Sequence, residues 1–175
     1  MRSTFSAVLF GTLFAFTLSL GAAQWISKEA GVSLQLPSHP DWVQIKAENG
    51  VGLERVIFQR QDNTAVVQFT FSETYPTAQK LDDEYVQRWE KQHYRKHDDK
   101  KVSGEFITLK GQRAYRLCDQ PNIEGQKRRS ITILWLNNEG RLCSVFATRY
   151  EGDPLLDPVI KAFLDSLTLL PRAPK

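Results

Sequence analysis

The chain is poor in the residues that most often carry chemistry. It has two cysteines and three histidines in 175 residues. It lacks the Gly-x-Ser-x-Gly elbow that lifts a serine above a hydrolase sheet. It also lacks the His-Glu-x-x-His helix of zinc peptidases and a glycine-rich loop able to cradle phosphate. No internal repeat, low-complexity tract or linker divides it. A strong charge of one sign is missing too, since 23 basic residues stand against 20 acidic ones. So small a balance gives no electrostatic footprint for nucleic acid or for an anionic surface. The basic run Lys127 to Arg129 reads as a solvated loop entering a strand.

What is present begins at the first residue. Arg2 supplies a positive charge, Ala7 to Leu20 is an almost unbroken apolar run, and Gly21 to Ala23 are small residues suited to cleavage. That order of parts describes a secretory signal peptide cut after Ala23. The run is shorter than the roughly 20 apolar residues of a membrane span, so no integral span is expected once the leader is removed. With no cysteine near the cleavage region and no twin-arginine pair, neither a lipid anchor nor a twin-arginine route is indicated. The expectation is a leader over residues 1–23 and a single domain over 24–175, periplasmic or secreted. Removing the leader takes away Arg2 and no acid, leaving 22 basic against 20 acidic side chains in 152 residues, enough chain for one core.

Hydrophobic spacing supplies the fold. Val32 to Leu36 alternates apolar and polar residues, as a half-buried strand does, and Pro37 and Pro40 break it. Trp42 to Lys46, Leu53 to Gln59 and Thr64 to Ser72 read as further strands, joined by short turns at 49–52 and 62–63. Short turns permit antiparallel pairing and forbid parallel pairing. The period then changes: Leu81, Tyr85, Val86 and Trp89 recur at helical spacing, predicting a helix over 81–96. Strands follow at 102–109, 112–119, 129–136 and 142–150, with a polar loop at 120–126. Asp157 can cap a last helix that opens on Pro158 and turns Val159, Ile160, Phe163, Leu164 and Leu167 to one side. The sum is an α+β domain on an antiparallel sheet.

Several local markers resemble a known group. They are Gly31 to Pro37 followed by Trp42, Leu81 to Tyr85 opening the helix, Leu109, Gly111 and Ala114 to Arg116 around a turn, and Phe163 to Leu167 at the end. Together they are similar to the PsbP/DcrB-like superfamily over residues 30–170. That superfamily includes small exported bacterial proteins and an extrinsic subunit of the oxygen-evolving complex, and a Ran-binding nuclear import factor shares its fold. The resemblance implies an α/β/α sandwich, with helices packed on the faces of the sheet. It also implies use as a binding or assembly module, with no shared catalytic set and no cofactor.

The candidate sites are few. His93 and His97 stand four apart on the predicted helix, and Glu90 lies three before His93, so the three could meet one metal ion. The plainer reading makes His93 the rim of the buried stripe Leu81, Tyr85, Trp89 and leaves His97 at the frayed end. His39 lies beside Ser38 and Asp41, but neighbours in a proline-held loop rarely face one another as nucleophile and base must. Cys118 and Cys143 fall on strands expected to flank a third. At about 4.8 Å per strand their Cα atoms are roughly 10 Å apart, beyond the about 7 Å a disulfide allows. Two buried, free thiols are therefore expected.

The functional expectation is a non-enzymatic, exported module that meets a protein partner in the cell envelope as a monomer or weak oligomer. The alternative is a metal or small ligand held at the helix end carrying His93 and His97.

Overall fold

The computed structural model describes residues 23–50, 52–73, 77–96, 100–123 and 126–171. In chain order its strands and helices are β1 Gln24–Ser27, β2 Val32–Gln35, β3 Trp42–Gly50, β4 Leu53–Arg60, β5 Ala65–Ser72 and α1 Asp83–Lys96. They continue with β6 Lys100–Leu109, β7 Gln112–Gln120, β8 Asn122–Ile123, β9 Gln126–Lys127, β10 Arg129–Leu136 and β11 Leu142–Arg149. A 3-10 turn at Pro154–Leu156, α2 Pro158–Ser166 and β12 Thr168–Leu169 complete the fold.

The main sheet has seven antiparallel strands in the order β3-β4-β5-β11-β10-β7-β6. The expected run of four paired strands needs correction at its start. β2 does not join β3; it lies between β1 and β12 in a separate three-stranded sheet. The prolines at 37 and 40 carry the chain away from β2 before it can turn back on itself. β1 and β12 are too short to show a period, and the loop expected at 120–126 contains the two-residue ribbon β8–β9.

Two apolar clusters hold the elements together. In one, Val56, Phe58, Val67, Phe69, Phe71, Trp135, Cys143, Val145 and Ala147 meet Ile160 and Phe163 of α2 and Val32 and Leu34 of β2. In the other, Leu81 and the α1 residues Tyr85, Val86 and Trp89 meet Tyr115, Leu117, Leu134, Leu136 and Leu142. Strand alternation explains the division, since β7 gives Ala114 to the first cluster and Tyr115 and Leu117 to the second. Asp157 caps α2 as expected, accepting from the backbone of Val159 and Ile160 at 2.9 and 3.2 Å. α1 begins two residues later than its apolar period suggested, because the carboxylate of Asp82 accepts from Tyr85 N at 2.9 Å and acts as its cap. Both outer strands are interrupted. Pairing slips at Ile45 in β3 and at Val102 in β6, which are 53% and 48% exposed. Such bulges blunt a sheet edge against casual pairing.

Candidate functional site

A connected group of polar side chains lies between α1 and the β6–β7 edge. Glu90 leaves the helix one position after Trp89 and meets both neighbouring strands. Lys101 Nζ donates to its two carboxylate oxygens at 2.7 and 2.8 Å. Tyr115 Oη donates to Oε1 at 2.6 Å, and Lys101 Nζ lies 3.4 Å from the same hydroxyl. Burial raises the Tyr115 pKa, and its bond to Glu90 raises it further. Burial works against the Lys101 charge, but Glu90 and Tyr115 outweigh it and hold that pKa above its usual value.

One turn further along α1, His93 stacks on Trp89 with ring centres 4.9 Å apart. Its Nε2 stands 3.4 Å from Oδ2 of Asp119. Asp119 is 2% exposed. Of the expected metal set, then, Glu90 faces Lys101 and Tyr115, His93 faces Asp119, and His97 lies outside the described residues. Among the described residues no group of three or more His, Cys, Asp or Glu side chains is placed to hold a metal ion. Asp119 escaped the sequence reading, although a signal was there. It follows Tyr115 and Leu117 at alternate positions, so the strand period already pointed it inward.

The cysteines sit on β7 and β11, either side of β10, and both are free thiols. They are also offset along the sheet, Cys118 pairing with Ile131 and Cys143 with Trp135. Cys143 is fully buried, but Cys118 is only partly covered, because its outer neighbour β6 is an edge strand. That corrects the expectation of two buried thiols. Burial, and then nearby Glu54, push the Cys143 thiol far above its usual pKa, so it is neither nucleophile nor ligand near neutral pH. Glu54 itself is 4% exposed. Burial first, and Glu29 second, raise its carboxyl pKa to about 7.

Two open cavities stand out among the described residues. The larger, about 660 Å³, lies between residues 77–81 and the β10–β11 turn, with Gln112 and Arg113 as its floor. Its walls are tied by backbone: Ala78 N donates to Gly140 O at 2.8 Å, and a Cβ at Gly140 would come within 2.2 Å of Ala78 O. Arg113 Nε donates to Leu81 O at 2.9 Å while its guanidinium lies 3.6 Å from the centre of the Phe106 ring. The second, about 520 Å³, is a mainly apolar groove between the Leu36–Pro40 loop and α2, lined by Pro37, Pro158, Val159 and Phe163. It includes Ser38 and His39. The imidazole Nδ1 accepts from Asp41 N at 3.2 Å, so this nitrogen holds the loop and does not address the hydroxyl.

A seven-stranded antiparallel sheet with one helix between its third and fourth sequential members and another after its last strand makes this an α+β fold. The solved structures agree. Cyanobacterial PsbP (CyanoP) from Synechocystis is similar over 91% of this chain and 98% of its own, with a TM-score of 0.61 at 15% identity. A protein of unknown function, PA94, from Pseudomonas aeruginosa matches 87% of this chain and 98% of its own, with a TM-score of 0.51 at 18% identity. A Bacteroides thetaiotaomicron protein matches 86% of this chain and 49% of its own, with a TM-score of 0.51 at 16% identity. No protein-family model matches the sequence, and no curated protein matches it. At these identities the shared property is the fold.

Proposed function

We propose that the chain is an exported, non-enzymatic PsbP-like module, an α/β/α sandwich over residues 24–175 that binds a protein partner in the cell envelope. The leader-like start and the PsbP-like fold support this reading. Among the described residues no helix is long and apolar enough to cross a membrane. The observation that carries it is the character of the larger of the two cavities described above. Two turns build its walls, Gln112 and Arg113 are already committed to backbone carbonyls, and Lys80 and Glu139 are the other charged residues that line it. Such a surface recognises shape and charge; it does not assemble a nucleophile with its base.

Affinity isolation from envelope extract tests the reading. One stoichiometric protein is expected, and its recovery drops when Lys80→Glu and Glu139→Lys are introduced. Turnover of an ester, glycoside or disulfide substrate that a single substitution abolishes would replace this reading with an enzyme.

A second reading, a metal or small ligand at the C-terminal half of α1, is favoured by the contact between His93 and buried Asp119. A rise in melting temperature with a metal or small molecule alone would favour it.

A further inference from the structure

The basic run Lys127 to Arg129 meets a fourth cation in the fold. Arg129 opens β10 directly opposite Arg149, the last residue of β11, which sets their Cβ atoms about 5 Å apart on one face of the sheet. Like charges in that relation repel and weaken a strand pair. Elsewhere the sheet avoids it. Glu48 stands opposite Arg55 on β3 and β4, and Lys101 and Glu105 of β6 stand opposite Asp119 and Arg116 of β7. Among the described residues Arg129 and Arg149 are the exception, two cations facing each other in one register.

No described acid neutralises them. Arg55, Arg60, Arg116 and Arg141 each have a carboxylate within ion-pair distance, whereas among the described residues none is so placed for Arg129 or Arg149. Asp153, at the head of the 3-10 turn packed against β10 and β11, accepts from Leu155 N at 2.9 Å. Just before the pair, Lys127 is exposed. Arg128 lays its guanidinium 5.8 Å from the centre of the Tyr150 ring, and its buried Nε lacks an acceptor. One corner of the sheet thus gathers four cations in a chain that is close to balance, with 23 basic residues against 20 acidic ones.

Resting on the first reading above, in which the chain binds a protein partner, we propose that Arg129 and Arg149, flanked by Lys127 and Arg128, form the contact for an acidic segment of that partner. Each guanidinium presents a planar fork that grips a carboxylate through two bonds. A segment with acids at neighbouring positions removes the repulsion that the fold leaves in place. A lipid surface is a poorer match. It rewards the number of charges and not their forks, and a chain so near neutrality sets up no broad field to draw it there.

Fluorescence anisotropy of a fluorescein-labelled octapeptide of alternating glutamate and serine tests this. The purified chain should bind it one to one, more weakly as salt rises, and should ignore the same peptide with glutamine for glutamate. Arg129→Gln and Arg149→Gln should each weaken binding by about tenfold, the worth of one charge-assisted pair. Lys91→Gln, at an exposed position of α1, should leave it unchanged. Each arginine variant should melt no lower than the native chain, because the repulsion is relieved. Equal binding of the two peptides, binding untouched by both arginine substitutions, or a lower melting temperature in both variants would each overturn the proposal. So would binding of the two arginines to phosphatidylglycerol vesicles but not to the peptide. If affinity isolation still recovers one stoichiometric protein with the Arg129→Gln, Arg149→Gln double variant, this contact falls and the partner reading stands. If the peptide binds through the two arginines but isolation recovers nothing, the partner reading falls and the acid-binding corner stands.

Discussion

Tyr115 reaches Glu90 across the bare backbone of Gly104. A Cβ on Gly104 would lie 1.8 Å from the Tyr115 hydroxyl and 2.7 Å from the ring carbon that bears it. Gly104→Ala therefore displaces the ring and breaks its 2.6 Å bond to Glu90. A loss of about 1–3 kcal/mol is expected, the usual cost of forcing extra carbon into a packed site. Urea melts check this. Tyr115→Phe in the Gly104→Ala background should cost less than the two losses added, because part of the clash has gone.

Glu54 makes stability depend on pH. Its carboxyl rises from 4.5 to about 7 on folding, so between these values the folded chain holds a proton that the unfolded chain has released. Stability is then full below about pH 4.5, declines as pH rises through about 7 and levels off above that. The span is up to about 3 kcal/mol. Melting temperatures from pH 5 to pH 8 should fall in the native chain and flatten in Glu54→Gln.

The cap of α2 should be measurable. Asp157 is 6% exposed and holds two helix N–H groups, so Asp157→Ala should cost about 1–2 kcal/mol in urea melts. Asp157→Asn should cost less, since its amide oxygen can still accept.

The thiols should differ in reactivity. Under native conditions an aromatic disulfide reagent should titrate Cys118 and leave Cys143, which is buried with a raised pKa. In denaturant both should react.

Much of this was legible beforehand, for physical reasons that can be named. Asp157 and Pro158 announced α2 because a cap is a local contract between a side chain and the next three residues. The Lys110–Gly111 turn was equally plain, both residues having positive φ, and the two-strand separation of Cys118 and Cys143 followed from counting hairpins. The small sheet was not legible. β2 pairs with β12, and the contact between Ser33 and Thr168 joins residues too far apart for any local pattern to reveal. At the candidate site, His93 was visible as a rim residue, whereas its partner Asp119 arrives from another strand. Only the alternation after Tyr115 hinted at a buried acid.

The start of the domain also bears on processing. Ala23 O accepts from Leu36 N at 2.8 Å, and Gln24 to Ser27 are paired along β2. If residues 1–23 are the proposed leader, a signal peptidase would need that stretch extended and unpaired, and cleavage would precede the docking of β1. Denatured full-length chain should be cut after Ala23 and folded full-length chain should resist; equal cleavage of both would contradict the ordering.

Native mass spectrometry of the chain drawn from the envelope fraction of its own cells tests the central claim most directly. The account predicts a polypeptide that begins at Gln24 and travels in a one-to-one complex with a second protein. A chain that still begins at Met1, or one that is always recovered alone, would contradict it.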